Sequence, residues 1–205
     1  MDAPLKRLKQ LSPCDLADAL SAEQFVDPAI RSLWTPAPKI FGRAFTVDCP
    51  PGDHLMFHAA IYRASAGDII VATGDSRYAL AGGNVCAIAQ QNGIAGCIID
   101  GNIRDLAEVR DMQFPVYARG VFPKPGAKKQ LGTLNSTIEC AGVVVENGDY
   151  ILASEEGIAI IPARDVEAVL EKAEARAAKD ANTPLPKWRE NHLNIVNNAL
   201  DNLGF

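Results

Sequence analysis

The sequence has 205 residues, 48% of them hydrophobic, and carries a formal net charge of −5 at pH 7. This length predicts one domain with its own core, and the acidic balance argues against a nucleic-acid surface, which would need a basic patch. No apolar run reaches the roughly 20 residues of a membrane-spanning helix, and the first residues lack the apolar core of a secretory signal, so we expect a cytoplasmic protein with no membrane contact.

The first third of the chain predicts helices around one strand. The segment Ser12-Pro13-Cys14-Asp15 has the hydroxyl cap, the early proline and the acid of a helix start. Residues 27–39 contain three prolines and predict a connector. Residues 41–49 alternate like a strand, and residues 54–64 predict a helix.

Strands and helices then alternate. The predicted strands are 68–72, 96–99 and 115–118, and the predicted helices between them are 82–91 and 104–112. Such alternation is typical of parallel βαβ units. Past Gly120 the short apolar segments 143–145, 150–153 and 158–161 predict an antiparallel meander. We therefore predict an α/β chain with a β/β/α arrangement rather than a pure doubly wound sheet.

The C-terminal part predicts two helices. A long helix covers 164–182 and ends at the proline-containing segment 183–186. A last helix over 188–203 has apolar residues at spacings of three and four, so that one of its faces requires burial. In a chain of this size that face could pack on a neighbouring subunit. We accordingly divide the chain into a domain over 1–182 and a helical extension over 183–205.

Charged residues follow the predicted strand 96–99, where α/β proteins usually bind their ligands. The guanidinium of Arg104 could hold a carbonyl or carboxylate oxygen. The carboxylate of Asp105 suits a hard cation such as Mg²⁺ or Mn²⁺. For an isolated Arg–Asp pair, a surface ion pair at a helix start is the favoured alternative. Asp100 is more typical of a residue that caps the following turn than of a metal ligand through water.

The helix predicted over 82–91 begins with Gly82, Gly83, Asn84 and Val85. Free N–H groups at such a helix start bind carboxylate or phosphate, although a tight turn into a helix is the more common reason for this pattern.

The spacing of His54 and His58 at i and i+4 suits a metal pair, but two ordinary helix-face histidines are the favoured interpretation. The five cysteines are widely spaced and odd in number, which argues against a disulfide framework.

Several segments in order resemble the family of the regulator of ribonuclease activity A and 4-hydroxy-4-methyl-2-oxoglutarate aldolase. They are GDIIV (67–71), GGNV (82–85), NGIAGCIIDGNIRD (92–105) and FPVYARG (114–120). The likeness covers roughly residues 12 to 182. It implies a β/β/α swivelling-type single domain with N- and C-terminal helices that assembles as homotrimers or homohexamers. It also implies a divalent-metal class II pyruvate aldolase that acts on a small 2-keto acid and often decarboxylates oxaloacetate as well.

The resemblance also implies residue roles. The N–H groups of residues 82–85 would hold the pyruvoyl carboxylate, Arg104 would bind the keto oxygen, and Asp105 would ligate Mg²⁺ or Mn²⁺. In this family an acid from the long helix of a neighbouring subunit often helps to place metal-bound water. Asp180 is the residue of this sequence that falls nearest to that position. Gly83 departs from the pattern, because strong aldolases often have an acid there. A non-catalytic protein that binds and regulates an RNA-degradation enzyme is the alternative function.

Overall fold

The computed structural model describes residues 2–36 and 38–205. Its helices are α1 (Ala3–Leu8), α2 (Leu55–Ala60), α3 (Gly83–Gln91), α4 (Leu106–Asp111), α5 (Val166–Ala181) and α6 (Leu185–Leu203). Its strands are β1 (Arg31–Ser32), β2 (Ile40–Asp48), β3 (Ile69–Thr73), β4 (Ala79–Ala81), β5 (Gly96–Ile103), β6 (Val116–Val121), β7 (Thr133–Leu134), β8 (Ile138–Cys140), β9 (Val143–Val145), β10 (Tyr150–Ser154) and β11 (Gly157–Ile161).

The larger sheet has the strand order β1-β6-β5-β3-β2-β10-β11, with β4 beside β5 and β7 beside β2. Strands β2, β3, β5 and β6 run parallel to one another, as the alternating sequence pattern predicts. Helices α2, α3 and α4 connect these parallel strands. The antiparallel pair β10–β11 extends the sheet beyond β2.

Both faces of the larger sheet are covered. On β3, Ile70 and Ala72 belong to the core cluster that α2, α3 and α4 share with the sheet. Ile69 and Val71 point to the opposite core cluster, which includes residues of the small β8–β9 sheet. Burial on both faces explains why these strands are continuous apolar runs. The predicted mixed α/β domain with β/β/α layers and terminal helices is confirmed.

Some elements differ from the prediction. The segment 143–145 pairs with β8 and not with β10, so the predicted three-stranded meander is wrong beyond the β10–β11 hairpin. Helix α2 ends at Ala60, four residues before the predicted end. The start at Ser12 has the predicted capping box but continues only as a short 3₁₀ turn, Pro13–Leu16.

Strand β5 continues through Asp100 to Ile103. The Asp100 carboxylate pairs with the Arg119 guanidinium and accepts the Ala141 N–H at 2.7 Å. These partners compensate the charge and allow an aspartate inside a strand. The role of Asp100 as a cap of the following turn is therefore wrong.

The two C-terminal helices differ in burial. One face of α5 is buried, through Val169, Leu170 and Ala173, in the cluster that α1 and the β10–β11 hairpin share. Helix α6 has no buried residue, and Trp188 on it is 49% exposed. The separate extension over 183–205 and its packing on a neighbouring subunit stay predictions. Within the described ranges, no helix combines the length and apolar character of a bilayer-spanning segment.

Candidate functional site

Two loops leave the same edge of the larger sheet side by side. Strand β4 ends at Ala81 and leads into α3, and its neighbour β5 ends at Ile103 and leads into α4. The strands are parallel, so their carboxyl ends coincide. The Arg104 N–H donates to the Ala81 carbonyl at 2.9 Å and joins the two loops. The fold therefore brings residues 82–85 next to Arg104 and Asp105, as the sequence predicts.

Asp105 has a left-handed backbone, with φ 55° and ψ 39°, at the N-cap of α4. Aspartate is one of the few side chains that adopt this conformation without a large penalty. The carboxylate does not cap its own helix. Instead its Oδ2 accepts the Gly83 N–H at 3.2 Å and lies 3.4 Å from Arg104 Nε. The unusual backbone thus directs the carboxylate toward the start of α3.

The start of α3 offers backbone donors. Its first intrahelical bond runs from the Cys86 N–H to the Gly82 carbonyl at 3.0 Å, so the N–H groups of Gly83, Asn84 and Val85 precede the helix ladder. Asp105 already uses the Gly83 donor. The N–H groups of Asn84 and Val85 are consequently the ones available to an anion at this helix end.

Neighbouring side chains come so close to Gly82 that no larger residue fits there. Its backbone angles do not require glycine, because a φ of −157° is extended. A Cβ at this position would lie 2.5 Å from Asp105 Oδ2 and 2.9 Å from Arg104 Cγ. Only a hydrogen leaves room for both side chains in their present places.

Gly83 faces a different side chain. A Cβ there would overlap Oε2 of Glu108. The Glu108 carboxylate thus fills the space that an acidic side chain at position 83 would enter. The sequence pattern alone does not single out Glu108. Its signal is its position three residues after Asp105, in the first turn of α4.

A small cavity of about 50 Å³ lies at these loops. Its lining residues are His54, His58, Ala79, Leu80, Ala81, Gly82, Asn84, Val85, Arg104, Asp105 and Pro125. Such a volume holds only a few water-sized groups. It suits the head of a small polar molecule whose remainder extends outward.

His54 and His58 lie beside this site, which the interpretation of them as two helix-face histidines does not include. Both side chains line this cavity, and their rings stack with centroids 4.2 Å apart. Burial lowers the pKa of His54 and lowers that of His58 to about 4. The sequence showed their shared helix face, but only the tertiary packing of α2 beside β4 reveals what that face meets.

The site has few possible metal ligands. Within residues 2–36 and 38–205 there is no group of three or more His, Cys, Asp or Glu side chains placed to hold a metal ion. The carboxylates of Asp105 and Glu108 at the start of α3 are the available hard donors. One or two oxygens suit Mg²⁺ or Mn²⁺, which retain waters, whereas a structural zinc site needs four protein ligands.

Asp180 lies elsewhere in the chain. It is near the end of α5, its side chain is 59% exposed, and its Oδ2 lies 3.7 Å from Arg176 Nε. It does not line the cavity of its own chain. Any part in the site would therefore require a neighbouring subunit, and this role stays a prediction.

A family model described as "RraA-like: Aldolase/RraA" matches residues 13–160. A protein of Halalkalibacterium halodurans named "Putative 4-hydroxy-4-methyl-2-oxoglutarate aldolase" is 36% identical over 167 residues, which are 80% of this chain and 79% of that protein. A Thermus thermophilus protein named "4-hydroxy-4-methyl-2-oxoglutarate aldolase" is 30% identical over 112 residues, 54% of this chain and 68% of its own.

A solved structure described as the "RNA-processing inhibitor RraA from Thermus thermophilis" superimposes with a TM-score of 0.66 at 27% identity. The match covers 73% of this chain and 91% of that one. The likeness thus extends to proteins named for two different activities.

Proposed function

This chain belongs to the RraA-like family, Aldolase/RraA, and we propose that it is a lyase that uses Mg²⁺ or Mn²⁺ to cleave a C–C bond of a 2-keto acid and release pyruvate. The substrate class is 4-hydroxy-4-methyl-2-oxoglutarate, oxaloacetate or both. The observation that carries the proposal is one cavity lined by Arg104, Asp105, Asn84 and Val85 at the carboxyl ends of two parallel strands.

The backbone of α3 and the Arg104 side chain would bind the pyruvoyl group. The N–H groups of Asn84 and Val85 stand before the first intrahelical hydrogen bond, where the helix dipole favours a carboxylate. Arg104 lines the same cavity and presents a planar donor fork. A donor fixed beside the keto oxygen stabilises the negative charge that develops there when the C–C bond breaks.

Asp105 would hold the divalent ion, and Glu108 would act beside it. When bound, the ion supplies Lewis-acid polarisation of the keto group. The Glu108 carboxylate lies against Gly83, next to the start of α3, so it can orient a water molecule and exchange a proton there. It thereby replaces the acid that the sequence lacks at position 83.

The test is pyruvate release from both substrates with Mg²⁺, with Mn²⁺ and after chelation. Arg104→Ala and Asp105→Asn should each lower kcat/KM by about 100-fold or more, the typical loss for a removed electrostatic group. Arg110→Ala and Asp111→Asn change the same charges at the other end of α4 and serve as controls. Full activity of either site variant, or full activity after chelation, would show that the assignment is wrong.

The proposal includes a homotrimer or homohexamer in which Asp180 of a neighbouring subunit reaches the site. The uncovered apolar residues of α6 support assembly. Sedimentation should give three or six chains, and mixing Asp180→Asn with Arg104→Ala subunits should restore activity. A monomer with full activity would contradict this part.

Regulation of an RNA-degradation enzyme is the second candidate. The superposition on RraA supports it, and the net charge of −5 permits binding to a basic segment of such an enzyme. Tight binding to a purified RNase, with no metal-dependent release of pyruvate from either keto acid, would rank this candidate first.

A further inference from the structure

The wall of the cavity contains two imidazole rings that the proposed function leaves unused. His54 is the N-cap residue of α2, and His58 lies one turn later. Their rings are nearly parallel, with an interplanar angle of 23° and centroids 4.2 Å apart. Both rings line the same small cavity as Arg104 and Asp105.

A backbone carbonyl determines the position of the proton on the His54 ring. His54 Nδ1 lies 3.4 Å from the Ala79 carbonyl oxygen. Because a carbonyl only accepts, this nitrogen carries the hydrogen, and Nε2 of a neutral ring is the acceptor. A neutral His54 ring therefore has the lone pair of Nε2 left to accept a hydrogen bond. The His58 ring, stacked on it, likewise has one acceptor nitrogen when neutral.

The surroundings keep both rings uncharged at neutral pH. Burial is the largest cause of the lowered pKa of each histidine, and Lys128 and Arg104 lower both pKa values further. The Asp53 carboxylate and the Ala79 carbonyl act in the opposite direction on His54, but the pKa of His54 remains below its ordinary value. The wall thus presents hydrogen-bond acceptors without positive charge.

We propose that the His54–His58 pair accepts a hydrogen bond from a hydroxyl group of the substrate and so selects 4-hydroxy-2-keto acids. The inference rests on the proposed function. A hydroxyl at C4 is a donor and satisfies the lone pair of the ring. The C4 carboxylate of oxaloacetate, which lies at the same distance from the keto group, is only an acceptor and leaves that lone pair without a partner.

The test compares two reactions in each variant. His54→Phe and His58→Phe keep an aromatic ring but remove the acceptor. His192→Phe is the matched control, because His192 also stacks on a neighbouring ring, that of Trp188, but lies on the exposed helix α6. Each cavity variant should lower kcat/KM for 4-hydroxy-4-methyl-2-oxoglutarate about tenfold, the loss expected for one hydrogen bond. Oxaloacetate decarboxylation should change by less than about twofold, and the control should change neither rate.

A variant with glutamine covers the case in which phenylalanine prevents folding. His58→Gln retains an acceptor oxygen and should retain the preference for the hydroxylated substrate. Equal losses with both substrates, or an unchanged preference in both phenylalanine variants, would overturn the inference.

Failure of the proposed function gives a different result. The wild-type protein would then release pyruvate from neither substrate, and equilibrium binding would become the readout. The inference requires that 4-hydroxy-2-oxoglutarate binds more tightly than 2-oxoglutarate, which differs only in lacking the hydroxyl, and that His58→Phe removes this difference. Equal binding of the two ligands to the wild-type protein would reject it.

Discussion

Replacing Gly82 by alanine should separate the geometry of the site from the stability of the fold. The added Cβ would stand 2.5 Å from Asp105 Oδ2, about 1 Å closer than an ordinary van der Waals contact, and 2.9 Å from Arg104 Cγ. Both side chains must move by a distance of that order. A displacement of about 1 Å costs roughly 100-fold in rate, or about 2.7 kcal/mol. The backbone of Gly82 is extended, so alanine adds no strain of its own.

The assay is pyruvate release under saturating Mn²⁺, together with the Mn²⁺ affinity from electron paramagnetic resonance and the free energy of unfolding in urea. We expect Gly82→Ala to lower kcat/KM about 100-fold and to weaken Mn²⁺ binding, while unfolding changes by no more than about 1 kcal/mol. Gly83→Ala is the comparison variant, because its Cβ meets the Glu108 side chain and neither Asp105 nor Arg104. It should lose no more than the roughly tenfold expected for removal of Glu108. Equal losses in the two variants, or no loss in Gly82→Ala, would refute the reasoning.

Three further predictions follow from other parts of the structure. Glu108→Ala should lower pyruvate release about tenfold. Adding Gly83→Asp to that variant should restore activity, because the new carboxylate enters the space that Glu108 leaves. No recovery in the double variant would argue against this exchange. Asp100→Ala should destabilise the protein by about 1–3 kcal/mol in thermal unfolding, since it leaves the Arg119 guanidinium and the Ala141 N–H, in the turn between β8 and β9, without their acceptor. The free energy of unfolding should fall as the pH drops from about 6.5 to about 4, because the unfolded chain protonates His58 at its ordinary pKa of 6.5 and the folded chain only at about 4. His58→Phe should flatten that slope, and an unchanged slope would contradict the lowered pKa.

The parallel part of the fold could be predicted because its strands are buried on both faces. Their apolar runs, separated by helical periods, mark 68–118 as βαβ units, and the structure agrees. The pairing of β9 with β8 could not be predicted, because a three-residue strand with alternating burial is compatible with pairing to the edge of any nearby strand. The end of β5 was missed because Asp100 has the composition of a turn, and its compensating partner Arg119 lies 19 residues away.

The candidate site was predictable where it follows directly from strand ends. Arg104 and Asp105 come immediately after β5, and a parallel sheet gathers such residues at one edge. The role of Glu108 depends on the proximity of α4 to Gly83, which local sequence does not contain. The same holds for His54 and His58, whose access to the cavity depends on how α2 packs beside β4.

The left-handed backbone at position 105 limits which mutations can be interpreted. Asparagine and glycine adopt this conformation readily, whereas alanine or glutamate would introduce strain along with the chemical change. In a library covering all substitutions, selection for folding alone would retain aspartate, asparagine and glycine. Selection for turnover would retain aspartate only. The difference between the two surviving sets measures the contribution of the carboxylate itself, separated from that of the turn that carries it.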